Sequence, residues 1–285
     1  MEVIKRDGSK EPVKLDKITA RIKKQTYDLN VEYVDYMEVV KKTISGLHDG
    51  ISTTELDNLA AETAAGMTST HPDYSMLASR IAITRLYKSI IKPFSKNAKI
   101  IYDADFLSDG VYEIIKNNAR KINSMIAGDR DYNIDYFGFK TLERSYLLKV
   151  DDNIAETPQY MYMRVALGIW GDDWENVQKT YDMLSEGKFT HATPTLFNAG
   201  TKRSQLASCF LIANKSDSIE GLFETVKDVA NISKWAGGIG LHVHDVRAKG
   251  SFIKGTGGTS DGLVPMMRTY NEVARWVNQG GKRKG

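Results

Sequence analysis

The chain has 285 residues, 41% hydrophobic and 26% charged, with a net charge of +3; this is globular material for about two domains, too weakly basic to predict nucleic-acid binding. No apolar run approaches the roughly 20 residues needed to cross a bilayer, and the start MEVIKRDGSK lacks the apolar stretch of a secretory signal. The single cysteine excludes a disulfide framework and fits a reducing cytosol.

The first ninety-odd residues read as a small separate unit. Residues 3–5 and 11–14 flank the Asp7-Gly8 pair, a hairpin signal because glycine accepts positive φ. Asp16 has the chemistry of an N-cap, with Ile18 and Ile22 four apart on the helix that follows. A second helix is predicted from about 34 to 47, before Gly50. Ser52 and Glu55 form a capping box, with Ile51 and Leu56 at staple spacing. Pro72 and Asp73 open a fourth segment carrying Leu77, Ile81 and Leu86 along one side. Lys5, Arg6, Lys10, Lys14, Lys17, Arg21, Lys23 and Lys24 crowd residues 1–24. Such a cluster meets phosphate or is simply a solvated face.

From about 93 to 189 the chain reads as mostly helical. Thr157 is an N-cap and Pro158 a first helical residue, leading into QYMYMRVALGIW. Asp172 or Asp173 caps the next helix, which ends near Gly187. The stripe Tyr160, Met161, Tyr162 and Met163 has the chemistry of packing, and no catalytic residue is expected here.

The chemical portion begins at His191. Cys209 lies in the run QLASCFLI; disulfide redox chemistry needs two sulfurs, so one thiol cannot complete such a cycle. The plainer reading is a small buried hydrophobe on a strand. Asp217 and Glu220 form a capping pair for a helix to about Lys234, stopped by Gly237 and Gly238. Eight glycines from Gly237 to Gly262 predict mobile loops, and GGIG lacks the full dinucleotide-binding spacing. The tail NQGGKRKG adds a second basic cluster.

HATPTLFNAGTKR, the Cys209 run, DSIEG, SKWAGGIG, VRAKGSFIKGTGG and NQGGKRKG form an ordered series. It resembles the large subunit of class I ribonucleotide reductase, over the amino-terminal part of that enzyme only. VIKRDG, VKLDKI, TTELD and HPDY followed by Lys88 resemble its ATP-cone, and YFGFKTLERSYLL its helical region. The resemblance implies an α+β fold whose amino-terminal half is mainly helical. Residues 1–93 would be a β-hairpin/four-helix ATP-cone and 94–190 a helical domain. Residues 191–285 would be the incomplete first part of a ten-stranded α/β barrel with its specificity loops.

Three sites follow from the resemblance. In the cone, ATP would switch the enzyme on and dATP off, with Lys5, Arg6, Glu11, Lys17 and Lys88 approaching phosphates and Thr53 and Asp57 contacting base or sugar. In the barrel, Thr193 and Ser208 would hydrogen-bond the nucleoside diphosphate substrate, and Gly238 would let it approach closely. Other family members carry Ser at position 193, which also supplies a hydroxyl. Cys209 would be half of the reducing pair, oxidised to a disulfide as the 2′-hydroxyl leaves. For the dNTP specificity effector, Asp217 would hold the deoxyribose, Ser218 and Ile219 would line the site, and Lys234, Arg247, Ile253 and Lys254 would make further contacts. Arg247 offers phosphate a bidentate fork. Gln279 and Arg283 would read effector or substrate base from the second loop.

The effectors are expected to carry Mg2+, and no cofactor is held permanently. The partners implied are a homodimer mate packing on helices 218–234 and 262–277, a small radical-generating subunit, and thioredoxin or glutaredoxin as dithiol reductant. One cysteine cannot supply the partner thiol, the radical-bearing cysteine or a shuttle pair. The expectation is therefore a partial cytoplasmic enzyme, inactive alone and completed by a carboxy-terminal complement of the large subunit, with no nucleic-acid or membrane partner. The alternative is a non-catalytic nucleotide-sensing ATP-cone regulatory protein, against which Cys209 and the paired loops weigh.

Overall fold

The computed structural model describes residues 1–235 and 237–277, mainly helical with short strands. Strands β1 (Glu2–Ile4) and β2 (Lys10–Pro12) form an antiparallel hairpin pairing Val3 with Glu11. Gly8 takes a φ of 82° in the turn, a conformation that costs glycine little. Helices α1 (Leu15–Lys23) and α2 (Tyr36–Ser45) follow, then β3 (Ile51–Ser52), α3 (Thr53–Gly66) and α4 (Asp73–Tyr87). The two-residue β3 pairs in parallel with β1, giving the order β2-β1-β3. A strand that short carries no readable alternation, so only tertiary pairing reveals it.

The caps explain where these helices begin. Ser52 and Glu55 make the reciprocal capping box on α3, and Asp35 accepts from the Met37 amide at the start of α2. Asp16 is not a cap: α1 begins one residue earlier, and Asp16 lies in its first turn. There an acid still favours the positive end of the helix dipole. Ile18, Ile22, Val39 and Val40 are buried on their helices, and the alanine face of α3 (Ala60, Ala61, Ala64) packs on α4, which buries Leu77 and Ile81.

The next stretch contains α5 (Phe94–Asp103), α6 (Asp109–Asn117), α7 (Ala119–Met125) and α8 (Tyr136–Thr141), then the hairpin β4 (Lys149–Val150) and β5 (Asn153–Ile154). Helices α9 (Pro158–Trp170) and α10 (Trp174–Ser185) complete it. A 3-10 turn (Gly128–Asn133) precedes α8 and a π-helical turn (Leu142–Tyr146) follows it. Thr157 caps α9 through the Tyr160 amide and Asp173 caps α10 through Asn176. Helix α9 is buried nearly all round, with Met161, Met163, Val165 and Leu167 fully enclosed, so it is a core helix rather than a surface one. Its Arg164 meets Glu156 through two bonds of 2.6 and 3.1 Å, both side chains buried.

The remaining elements are α11 (Thr193–Asn198), β6 (Cys209–Ala213), α12 (Ile219–Lys234), β7 (Gly238–His242), β8 (Phe252–Ile253), β9 (Gly258–Thr259) and α13 (Leu263–Val277). Strands β6 and β7 are parallel neighbours joined by α12, a βαβ unit with Cys209 opposite Gly238. The glycine-rich segment, expected as loop, contains the antiparallel β8–β9 ladder. Among the described residues no sheet closes into a barrel, and no helix is long and apolar enough to cross a membrane. The chain forms two compact units. One holds Met1–Thr190 with Gly200–Lys202, and the other His191–Ala199 with the chain from Arg203 onward.

Candidate functional site

A cavity of about 590 Å³ opens between the β1–β2 hairpin, α1 and the start of α3. Lys5, Arg6, Glu11, Lys17, Thr53, Asp57 and Lys88 all line it, joined by Asp7, Lys14 and Arg21 among others. Two carboxylates organise the cations. Asp57, buried, receives Arg21 at 2.8 Å, Lys88 at 3.4 Å and Arg6 at 3.5 Å on the same oxygen. Glu11 receives Lys5 at 3.3 Å and Lys17 at 3.8 Å.

Burial raises the Asp57 carboxyl above its usual range, against the pull of Arg21 and Arg6, and burial also lowers the Arg21 guanidinium. A nucleotide phosphate arriving here would find cations gathered and their long side chains already ordered, which lowers the entropic cost of binding. The Nε of Arg21 is buried without a hydrogen-bond partner among the described residues, a donor that an anion could satisfy. Arg21 and Lys14 were not among the sequence candidates. The signal was present, since Lys14, Lys17 and Arg21 are spaced to share one face of a helix.

In the second unit, Cys209 heads β6 with its thiol exposed, which removes the reading of a buried hydrophobe. The Ser208 hydroxyl lies 3.6 Å from its Sγ, and the Gly238 amide donates to the Ser208 carbonyl at 2.9 Å. A Cβ on Gly238 would stand 3.2 Å from that carbonyl and 3.5 Å from the sulfur, so glycine keeps the ground beside the thiol open. Ser208, Cys209 and Gly238 are thus brought together. Thr193 opens α11 in the same unit.

The third group is only partly assembled. Ser218, not Asp217, caps α12, its hydroxyl accepting from the Gly221 amide at 3.1 Å. Asp217 instead binds Arg247: Nε donates to its carboxylate at 2.6 Å and Nη2 to its backbone carbonyl at 2.9 Å. Ile219 is exposed on the first turn. Lys234 ends α12, about 24 Å along the axis from Ser218 at 1.5 Å per residue, and its ammonium lies over the Trp235 ring. Ile253 ends β8 and Lys254 follows it, exposed. Gln279 and Arg283 lie outside the described residues.

Three family descriptions match successive parts of the chain: "ATP cone domain" over residues 1–89, "Ribonucleotide reductase, all-alpha domain" over 132–204, and "Ribonucleotide reductase, barrel domain" over 207–285. The chain is 54% identical over 293 residues to "Ribonucleoside-diphosphate reductase large chain 2" of Saccharomyces cerevisiae, with all of this chain and 34% of that protein aligned. It is equally identical to the "Ribonucleoside-diphosphate reductase large subunit" of Arabidopsis thaliana, covering all of this chain and 36% of that protein. The same figure holds for the large subunit of Caenorhabditis elegans, with 99% and 37% covered. The chain belongs to the ribonucleotide reductase large-subunit family. It spans about a third of the length of the curated relatives it matches. Within the reductase family match, the basic cavity falls in the cone segment, and Cys209, Asp217 and Arg247 fall in the barrel segment.

Proposed function

We propose that this chain forms the nucleotide-regulated amino-terminal part of a ribonucleoside-diphosphate reductase large subunit, divided at about 93 and 190. ATP or dATP is read in the cone cavity and Cys209 is one of the two reducing thiols. The observation that carries the reading is the exposed Cys209 thiol beside Ser208 and the bare backbone of Gly238. Loss of a 2′-hydroxyl as water consumes two electrons and protons. Two thiols supply both when their S–H bonds are exchanged for one S–S bond. These 285 residues contain one cysteine, so the second sulfur belongs to a carboxy-terminal complement of the large subunit.

Ser208 and Thr193 would hydrogen-bond the substrate, and Gly238 would let it approach. A small subunit would generate the radical, and thioredoxin or glutaredoxin would return the disulfide to thiols. A reducing compartment such as the cytoplasm keeps Cys209 reduced. Mg2+ would arrive with the effector triphosphate, whose oxygens suit a hard cation.

The separation between Ser218 and Lys234 supports a specificity site shared by two protomers, because one effector cannot reach both ends of a single α12. Antiparallel pairing of α12 with its mate would bring Lys234 of one protomer towards Asp217 of the other. Exposed Ile219 and Phe223 on the same helix suit that role. The effector phosphate would then draw Arg247 away from Asp217. A sensor without reductase activity would leave Cys209 and the barrel segment without a task.

The test is assembly: the chain is mixed with its complementing polypeptide, the small subunit, substrate and reductant. Turnover is expected, and one round without reductant should leave a disulfide-linked peptide pair containing Cys209. Cys209→Ser should abolish turnover while nucleotide binding persists. Multiple turnovers by that variant would overturn the proposal.

A further inference from the structure

A second cavity, of about 710 Å³, opens against α3 and α4. Asn58 and Arg85 line it from those helices, and Phe137, Lys140, Arg144 and Lys149 from α8, the π-helical turn and β4. The two cavities are neighbours: Asp57 and Lys88 line the first, Asn58 and Arg85 the second.

Four cations meet one carboxylate in this lining. That carboxylate, Glu143, is buried and bound by both Arg85 and Lys140, so its charge is already compensated. Arg144 and Lys149 have no ion-pair partner among the described residues. The Nε of Arg85 is buried there without a hydrogen-bond partner among the described residues. Beside the cations stands Phe137, 81% exposed. A ring so exposed at the start of a helix gains little from folding and offers a free face for stacking. The π-helical turn adds a residue to the winding between Lys140 and Lys149, a distortion found frequently at functional sites.

We propose that this cavity is a second anion site, which takes a nucleoside polyphosphate with the phosphates among Arg85, Arg144 and Lys149 and the base against Phe137. Charge-assisted bonds from arginine and lysine hold phosphate oxygens, and the volume is within the range of small-ligand sites. An inorganic polyphosphate shares the anionic chemistry but has nothing to place on the ring. That difference separates the two sources.

The experiment is calorimetric titration of the 285-residue chain with ATP and, separately, with tripolyphosphate. Two ATP per chain are expected. Arg144→Glu combined with Lys149→Glu alters one exposed and one half-buried side chain, neither in an ion pair among the described residues, and should weaken one of the two by roughly ten-fold or more. Lys88→Ala should weaken only the other. Phe137→Ala should reduce ATP affinity at the second site several-fold and leave tripolyphosphate unchanged. A charge-reversed double variant with native circular dichroism and unaltered ATP and tripolyphosphate binding would overturn the site. Equal binding of both ligands, insensitive to Phe137→Ala, would overturn the nucleoside half of the proposal. Failure of the cone reading shows separately, as a Lys88→Ala variant that binds ATP normally.

Discussion

The two units bury their apolar surface to very different degrees. In the first, helices α4 and α9 are enclosed, and Leu77, Ile81, Met161, Met163, Val165 and Leu167 are shut away from water. In the second, Val229 and Tyr270 are buried, yet Leu211 is 91% and Trp276 82% exposed, and Phe223, Phe252, Val264 and Met267 are exposed too. The reason is architectural. A helix bundle covers each apolar stripe with a neighbouring helix. A βαβ unit of two strands has a helix on one face only. Phe210 and Ile212 point one way along β6, while Cys209, Leu211 and Ala213 are open. The face that leaves Leu211 bare also leaves the Cys209 thiol accessible.

Disturbing the first unit should therefore cost far more than disturbing the second. The largest effect is expected from Glu156→Gln, which removes the carboxylate charge that the buried Arg164 guanidinium meets. Chemical denaturation should show a loss of about 3–5 kcal/mol in the transition of the first unit, and a loss below about 1 kcal/mol would mean that this core is wetter than its geometry implies.

A second expectation concerns pH. Asp131 is fully buried, and burial pushes its carboxyl up to about 7, against bonds from Tyr87 and Gln159 that favour the charged form. The Tyr87 hydroxyl lies 2.8 Å from Asp131 and 2.9 Å from the Gly128 carbonyl. With Asp131 protonated, the carboxyl donates to Tyr87 and Tyr87 donates to Gly128. The folded state then binds a proton that the unfolded state releases near 4, so stability falls as pH rises from about 4 through about 7. Hydrogen exchange resolved by segment should show that fall in the first unit, and Asp131→Asn should flatten it. A variant with the wild-type slope would assign the dependence elsewhere.

Ligand linkage sharpens the contrast further. ATP held in the cone cavity should raise the melting transition of the first unit and leave that of the second in place. Lys88→Ala should weaken that binding by roughly 1.5–3 kcal/mol, the worth of a lost charged hydrogen bond. A shift of both transitions together would show that the units unfold as one. The smallest effect is expected from Leu211→Ala. An apolar side chain already in water contributes little to folding, so the change should stay within about 0.5 kcal/mol. A loss of 2 kcal/mol or more would place Leu211 under cover.

Much of the helical pattern could be read directly because its causes are local. The Ser52/Glu55 box, the Thr157 cap before Pro158 and the Asp173 cap each depend on groups within three residues. The cone candidates were legible through motif resemblance, and all seven line one cavity. Chain proximity alone decided nothing where two capping residues stood side by side. Asp217 and Ser218 have the same local credentials, and the choice fell to Ser218 because Arg247, 30 positions away, takes the Asp217 carboxylate. Arg21 joined Asp57 for the same kind of reason, through an ion pair of 2.8 Å between α1 and α3.

The sequence by itself determined the element types of the long periodic helices, the caps at Ser52, Thr157 and Asp173, the basic character of the amino-terminal segment and the family. These depend on composition and on spacings within one or two helical turns, where backbone geometry leaves few alternatives. Tertiary structure alone decided the parallel β3 strand, the Asp217–Arg247 pair, the exposure of Cys209 and the cavity around Arg85 and Arg144. Each of these joins or uncovers groups far apart in the chain, and its energy depends on burial and charge separation that no local spacing specifies.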